Sequence, residues 1–249
     1  MTGKVEQRLM NAKKAGRPVI FALVDPQSRD DLASVELLGV TIRDLDDYAE
    51  IVVLAGGSSA NDKEILNGVK RQLGGAAPLV LFPGNITGVV SGADAILFTS
   101  LLNSENPYYI TQAQALGAPI VKKYNLEAIP TAYLIIGEGT SVWFYGYARA
   151  IPLDKPDIAV TYALAGQYLG MRFIYLEAGS GAKKSVTPKM VKAVRRFFDG
   201  FIIVGGGIKD GKKAKSLIKA GADGLVIGTL LEQTGGLKKF TEIIKSVRK

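Results

Sequence analysis

Apolar residues along the chain gather into eight short runs, at 18–24, 50–54, 78–82, 93–98, 131–136, 173–176, 201–208 and 224–229. Runs of four or more apolar residues bounded by glycine or proline fit strands covered on both faces, as in a parallel sheet. Polar stretches with helical spacing lie between most of them. Val5, Leu9 and Ala12 predict a short covering helix within residues 1–17. Further helices are expected over 31–45 with a break at Gly39-Val-Thr, over 62–73 and over 108–116. Others are expected over 154–168 with Asp154 as cap, from Thr187-Pro188, between the last two strands, and over 237–247.

Two connections break this rhythm. Residues 83–92 hold three glycines and are too short for a crossover helix. Residues 137–149 form the longest irregular stretch, contain the one tryptophan, Trp143, and read as a loop or lid. Eight strands with mostly helical crossovers, and no shift in composition over 1–249, predict a single-domain TIM (β/α)8 barrel lacking the regular helix after strand 3. A doubly wound sheet is the alternative architecture.

Composition narrows the chemistry. The 249 residues include no Cys and no His, which removes disulfides, thiolate metal sites, cysteine nucleophiles and the usual neutral-pH acid/base. Any metal must be held by oxygen ligands, favouring Mg²⁺ or Mn²⁺, and any general base must be a carboxylate, Lys or Tyr. The net charge of +8 suits an anionic substrate or membrane surface. The basic residues are dispersed without interleaved aromatics, so nucleic acid is not an expected partner. With no long apolar run and no leader pattern, a cytoplasmic location is expected.

In a barrel, the loops after the strands open on one face, where active sites are built. Asp25 follows strand 1 and reads either as a turn residue or as a hard oxygen ligand for Mg²⁺, with Ser58 after strand 2 as a second ligand. Glu177 follows strand 6 and precedes a glycine-rich loop, where a carboxylate can orient and deprotonate a polyol hydroxyl or can pair with a barrel cation. Tyr175 alternates with Leu176 and reads either as an inward-pointing site residue or as a buried core tyrosine. Gly206, Gly207, Gly228 and Thr229 close two successive strands one crossover apart, the pattern of a barrel phosphate site, with plain tight turns as the alternative.

Leu23-Val-Asp-Pro26, Ala55-Gly-Gly-Ser58, Phe82-Pro-Gly-Asn85, Tyr175-Leu-Glu-Ala-Gly-Ser-Gly-Ala182, Val204-Gly-Gly-Gly-Ile208 and Val226-Ile-Gly-Thr229 together resemble the geranylgeranylglyceryl phosphate synthase family. The resemblance implies a barrel whose third helix is replaced by an irregular segment. It implies Mg²⁺-dependent transfer of the prenyl group of geranylgeranyl diphosphate to the 3-hydroxyl of sn-glycerol 1-phosphate, the first ether bond of archaeal membrane lipids. By position it assigns Asp25 and Ser58 to the metal, Glu177 and Tyr175 to catalysis, and Tyr175, Leu176, Glu177, Ala178, Gly179, Ser180, Gly181, Gly206, Gly207, Gly228 and Thr229 to glycerol phosphate. Where many relatives continue Asp-Pro with an acidic residue and lysine, this chain has Gln27-Ser28, followed by Arg29.

The donor's tail needs an apolar groove, for which Phe98, Leu101, Tyr124, Tyr133 and Trp143 are candidates, each with a place in the core as the reading to beat. Peripheral contact with a membrane and a homo-oligomeric state are also expected. A bacterial-type heptaprenyl donor, a sugar-phosphate isomerase or synthase, and a non-catalytic phosphate- or lipid-binding barrel are the competing readings.

Overall fold

The computed structural model describes residues 3–25, 32–56, 63–231, 233 and 235–248. Eight parallel strands close into a barrel in chain order. They are β1 (Val19–Val24), β2 (Glu50–Ala55), β3 (Leu79–Leu81), β4 (Ala95–Leu101), β5 (Glu127–Ile135), β6 (Phe173–Glu177), β7 (Phe201–Gly205) and β8 (Gly224–Ile227). The seam is β8 on β1, with Gly224 opposite Val19. Around them run α1 (Lys4–Lys14), α2 (Leu32–Leu45), α3 (Lys63–Leu73), α4 (Ala113–Lys123), α5 (Ser141–Tyr145), α6 (Pro156–Tyr168), α7 (Pro188–Arg195), α8 (Gly211–Lys219) and α9 (Gly236–Val247).

Strand alternation divides the apolar residues into two bodies. Phe21, Val52, Leu54, Val80, Leu97, Tyr133, Tyr175 and Ile203 fill the barrel, whereas their neighbours Ile20, Ala22, Ile51, Val53, Leu134, Leu176 and Val204 face the helices. The covering helix is present as α1, whose Val5, Leu9 and Ala12 join the inner body and plug the bottom of the barrel. The Glu127 side chain accepts from Val5 N at 2.8 Å and Glu6 N at 2.7 Å, doing at the start of α1 what a cap residue would do. Buried Glu6 pairs in turn with Arg172 on the strand β6 side.

At the other end the barrel stays open. Between Leu81 and Ala95 there is one 3₁₀ turn, Ile86–Gly88, capped by Asn85 Oδ1 accepting from Ile86 N, and no α-helix. The shortened connection therefore leaves one side of the mouth unwalled, and the inner face of α4 is reached through the gap.

Several element boundaries differ from those expected. α2 is unbroken because Gly39 lets it approach α3: a Cβ there would stand 3.0 Å from the Gln72 carbonyl oxygen. The helix expected to stop at 116 instead continues through Pro119, after a π-helical turn over Tyr108–Gln112. Pro119 and Ala115, the residue whose carbonyl Pro119 has no N–H to serve, are both exposed, so the helix is interrupted where solvent can reach it. β4 runs on to Leu101 and β5 starts at Glu127, earlier than Thr131. Asp154 is not the cap of α6; Lys155 holds that position, and Pro156 presets the first turn. Residues 137–149 are tied down rather than loose. They contain α5, and Asn103 donates from Nδ2 to the Ile135 and Arg149 carbonyls, both at 3.0 Å, while accepting from Ile135 N.

Candidate active site

β6 turns both Tyr175 and Glu177 into the barrel, and β7 places Gly205 directly across from Glu177. A side chain at Gly205 would collide with Tyr175 Oη and stand 2.8 Å from Glu177 Oε2, so the glycine makes room for the pair. Tyr175 donates its hydroxyl to Glu177, and Gly179 N donates to Glu177 Oε1. With 6% of its surface exposed, Glu177 has its pKa raised by desolvation; the two hydrogen bonds, which favour the charged form, offset only part of that rise. Burial, followed by the neighbouring Glu177 charge, pushes the Tyr133 and Tyr175 phenols well above their usual range, so both stay neutral.

The loops after β6, β7 and β8 converge beside this carboxylate. Gly206 has φ +80°, and a Cβ there would meet Glu177 Oε1 and Gly179 N at 2.6 Å each, so the backbone of this turn lies against the carboxylate. Ser180 Oγ and Thr229 Oγ1 are hydrogen-bonded at 2.7 Å, joining the β6 loop to the β8 loop across β7. Ser180, Gly181, Gly206, Gly207, Gly228 and Thr229 all line one cleft of about 2030 Å³, together with Tyr175, Glu177 and Asp25.

This cleft continues away from the polar loops along Phe98, Leu101, Tyr108, Tyr109, Tyr133 and Val142, through the gap left by the absent helix. Among the described residues lining it, the carboxylates are Asp25 and Glu177 and the cations are Lys209 and Lys239.

The expected site residues are thus largely brought together, with definite exceptions. Leu176 and Ala178 belong to the helix-facing body, so their side chains point away from the cleft and only their backbone borders the site. Gly179 supplies its N–H to Glu177. Of the tail candidates, Phe98, Leu101 and Tyr133 line the cleft and Tyr124 and Trp143 do not. Tyr124 ends α4 at the surface, and Trp143 packs from α5 onto the barrel interior. Ser58, and Gln27 to Arg29, fall outside the described residues.

Three contributors were given no role from the sequence, although Gly205 and Phe82 stand in the motifs quoted above. Gly205 could have been found by continuing the inward positions 201, 203 and 205 along β7. Phe82 is the next inward position after Val80 and lines the cleft. Thr140, whose side chain would block any Cβ at Gly179, carries no local signal.

The family model described as "PcrB family" matches residues 15–247. The chain belongs to the PcrB family. Among its relatives, a protein of Nitrosopumilus maritimus strain SCM1 named geranylgeranylglyceryl phosphate synthase is 56% identical, with 99% of this chain and 98% of that one covered. The namesake from Pyrococcus horikoshii is 45% identical, with 99% and 96% covered. A crystal structure of (S)-3-O-geranylgeranylglyceryl phosphate synthase from Thermoplasma acidophilum, in complex with its substrate sn-glycerol-1-phosphate, superposes with a TM-score of 0.85 at 31% identity, covering 100% and 99% of the two chains. Thiamine phosphate pyrophosphorylase from Pyrococcus furiosus, at 12% identity and TM-score 0.55, shares with this PcrB member the barrel alone.

Proposed function

We propose that the protein is a geranylgeranylglyceryl phosphate synthase, transferring the prenyl group of geranylgeranyl diphosphate to the 3-hydroxyl of sn-glycerol 1-phosphate. The observation that carries this reading is one continuous cleft: a buried carboxylate and glycine-rich phosphate loops at one end, and an apolar arm at the other. The family and the relatives' names support the same assignment.

The backbone turns at Gly206, Gly207 and Gly228, with Thr229, hold the glycerol phosphate, which fixes where its 3-hydroxyl lies relative to Glu177. Glu177 accepts a hydrogen bond from that hydroxyl. The allylic C–O bond of the donor breaks with its electron pair going to the departing pyrophosphate, the glycerol oxygen forms the new bond to the same carbon, and Glu177 takes the proton. A carboxylate whose pKa is raised is a better base in this step. Tyr175 orients it and restrains that rise.

Mg²⁺, the metal the resemblance implies, fits the donor set. The described residues hold no cluster of three or more metal-ligating side chains, but Asp25 lines the same cleft, and Mg²⁺ typically takes one or two carboxylates and completes its shell with water and substrate phosphate oxygens. Held by Asp25, with Ser58 as a second ligand, it would neutralise charge on the leaving pyrophosphate. No described helix is long and apolar enough to cross a membrane. The net charge of +8 supports a cytoplasmic enzyme that meets its lipid-borne donor at an anionic membrane surface.

The deciding experiment is incubation of radiolabelled sn-glycerol 1-phosphate with geranylgeranyl or heptaprenyl diphosphate, with and without Mg²⁺, counting label extracted into organic solvent. Metal-dependent extraction with the geranylgeranyl donor is expected. Extraction with the heptaprenyl donor alone would move the assignment to the longer-chain enzyme, and none with either would overturn prenyl transfer.

A further inference from the structure

We infer that Phe82, Tyr133 and Tyr175 form an aromatic seat for the donor's allylic carbon, stabilising through their π faces the positive charge that builds there as its bond to diphosphate breaks. The inference rests on the prenyl-transfer reading and adds to it the residues that face the electrophile.

The three rings come from three separate strands and converge on one spot. Ring centroids are 5.7 Å apart for Phe82 and Tyr133, 5.6 Å for Phe82 and Tyr175, and 5.1 Å for Tyr133 and Tyr175. Tyr133 and Tyr175 are direct cross-strand partners on β5 and β6, and Phe82 closes the triangle from the end of β3. All three line the cleft at the junction between its polar loops and its apolar arm, beside Glu177. A prenyl diphosphate with its tail in the arm and its head toward Asp25 passes its first carbon over this junction.

The interplanar angles of 88°, 42° and 50° describe rings that are edge-on or tilted rather than stacked; Phe82 is half-buried at the cleft whereas Tyr133 is 8% and Tyr175 1% exposed, so Phe82 offers the most open face and the two tyrosines back it. A ring face carries partial negative charge and attracts a cation, most strongly where water is excluded. It also offers no lone pair that could trap the carbon. The two carboxylates of the described cleft already have other work: Asp25 toward the metal and diphosphate, Glu177 toward the glycerol proton. Neither is left to face the allylic carbon. Because burial keeps both phenols neutral, the tyrosines contribute rings rather than phenolate nucleophiles.

The chemistry balances without a further reactant. The electron pair of the breaking C–O bond leaves with pyrophosphate, the carbon's charge is met first by the ring faces and then by the glycerol oxygen, and the hydroxyl proton ends on Glu177.

The test replaces Phe82 with 4-fluoro-, 3,5-difluoro- and 3,4,5-trifluorophenylalanine, which hold the ring's shape while draining its face of negative charge. Expected is a stepwise fall in kcat, about tenfold across the series, with the donor KM unchanged. Phe82→Leu should lower kcat by a similar factor while leaving calorimetric binding of sn-glycerol 1-phosphate intact. A flat fluorination series in an enzyme whose parent transfers normally overturns the aromatic seat alone. A series that moves donor KM and not kcat overturns it in favour of plain tail binding. A folded parent that transfers no prenyl group overturns both this inference and the reading beneath it.

Discussion

Two aromatic layers sit inside the same barrel. Phe21, Phe173 and Phe201 form the lower one, each 0% exposed, with Phe173 stacked on Phe201 at 5.0 Å and Phe21 edge-on to Phe201 at 6.3 Å. Phe82, Tyr133 and Tyr175 form the upper one, which lines a cleft. The strand period that makes one makes the other: Tyr175 is the next inward residue after Phe173 on β6. The layers differ in what closes them. Below, α1 plugs the barrel and Gly224 lets Phe21 and Phe201 press against its strand, where a Cβ would stand 2.6 Å and 3.0 Å from the two rings. Above, Gly205 leaves space that is given to a phenol and a carboxylate. A barrel can therefore draw stability from one tier of rings and place reactivity on the next, with glycine in β8 and β7 deciding how much each tier can hold.

The largest effect that should separate the tiers is on stability. Phe201→Ala removes a fully buried ring from a tier sealed on all sides, and should destabilise the fold by about 3 to 5 kcal/mol. Chemical denaturation measures this directly. Phe82 is half-buried and borders the cleft, so Phe82→Ala should cost much less. Equal losses would mean that the upper tier is ordinary core.

Glu177→Gln should act in the opposite sense. It keeps the shape of the upper tier and removes its base, so kcat should fall on the order of a thousandfold while calorimetric affinity for sn-glycerol 1-phosphate changes little. Stability should rise. Because burial raises the Glu177 pKa, the folded protein holds its proton to higher pH than the unfolded chain does, so stability falls as pH rises from the usual carboxylate range through that raised pKa. Above that window the ionised side chain is a standing cost, and thermal unfolding at pH 8 should show a higher Tm for the variant than for the parent. A variant with undiminished turnover would remove Glu177 from the role of base.

A smaller effect is expected at Gly206. Alanine there would have to hold φ +80° and place its Cβ against Glu177 and Gly179, a strain of about 1 to 3 kcal/mol. The loop would relax away from the carboxylate, weakening glycerol phosphate binding roughly tenfold or more by calorimetry. Gly224→Ala presses instead on Phe21 and Phe201, and should lower stability with little change in affinity.

This division also marks where the sequence could be read. Continuous apolar runs ended by glycine make the strands legible, because burial on both faces leaves no other composition workable; the short 83–92 link equally exposes the missing helix. Tyr175, Glu177 and the glycine turns are legible because they end such runs. What stayed hidden depends on distant partners. Pro119 continues a helix only because its side of α4 faces water, and Glu127 belongs to a strand while it caps α1 from across the barrel floor. Leu176 and Ala178 stand in the recognisable run yet face the helices, since alternation, not adjacency, decides which side chains reach the cleft. Trp143, whose type suits groove and core alike, packs on the interior.

The finest distinction between the tiers is the single hydroxyl that turns a core ring into a partner of the base. Tyr175→Phe leaves the ring and its packing in place and takes away the hydrogen bond to Glu177 that holds the carboxyl's pKa down. With desolvation less opposed, that pKa should move further up. Turnover requires the ionised carboxylate, so the acid limb of the kcat profile should shift to higher pH: the variant is slower than the parent at low pH and approaches it on the alkaline plateau. A purely structural role for the hydroxyl would lower kcat by one factor at every pH. An unmoved limb would show that Gly179 N alone sets the charge of Glu177, and the phenol would then join the lower tier in function as well as in shape.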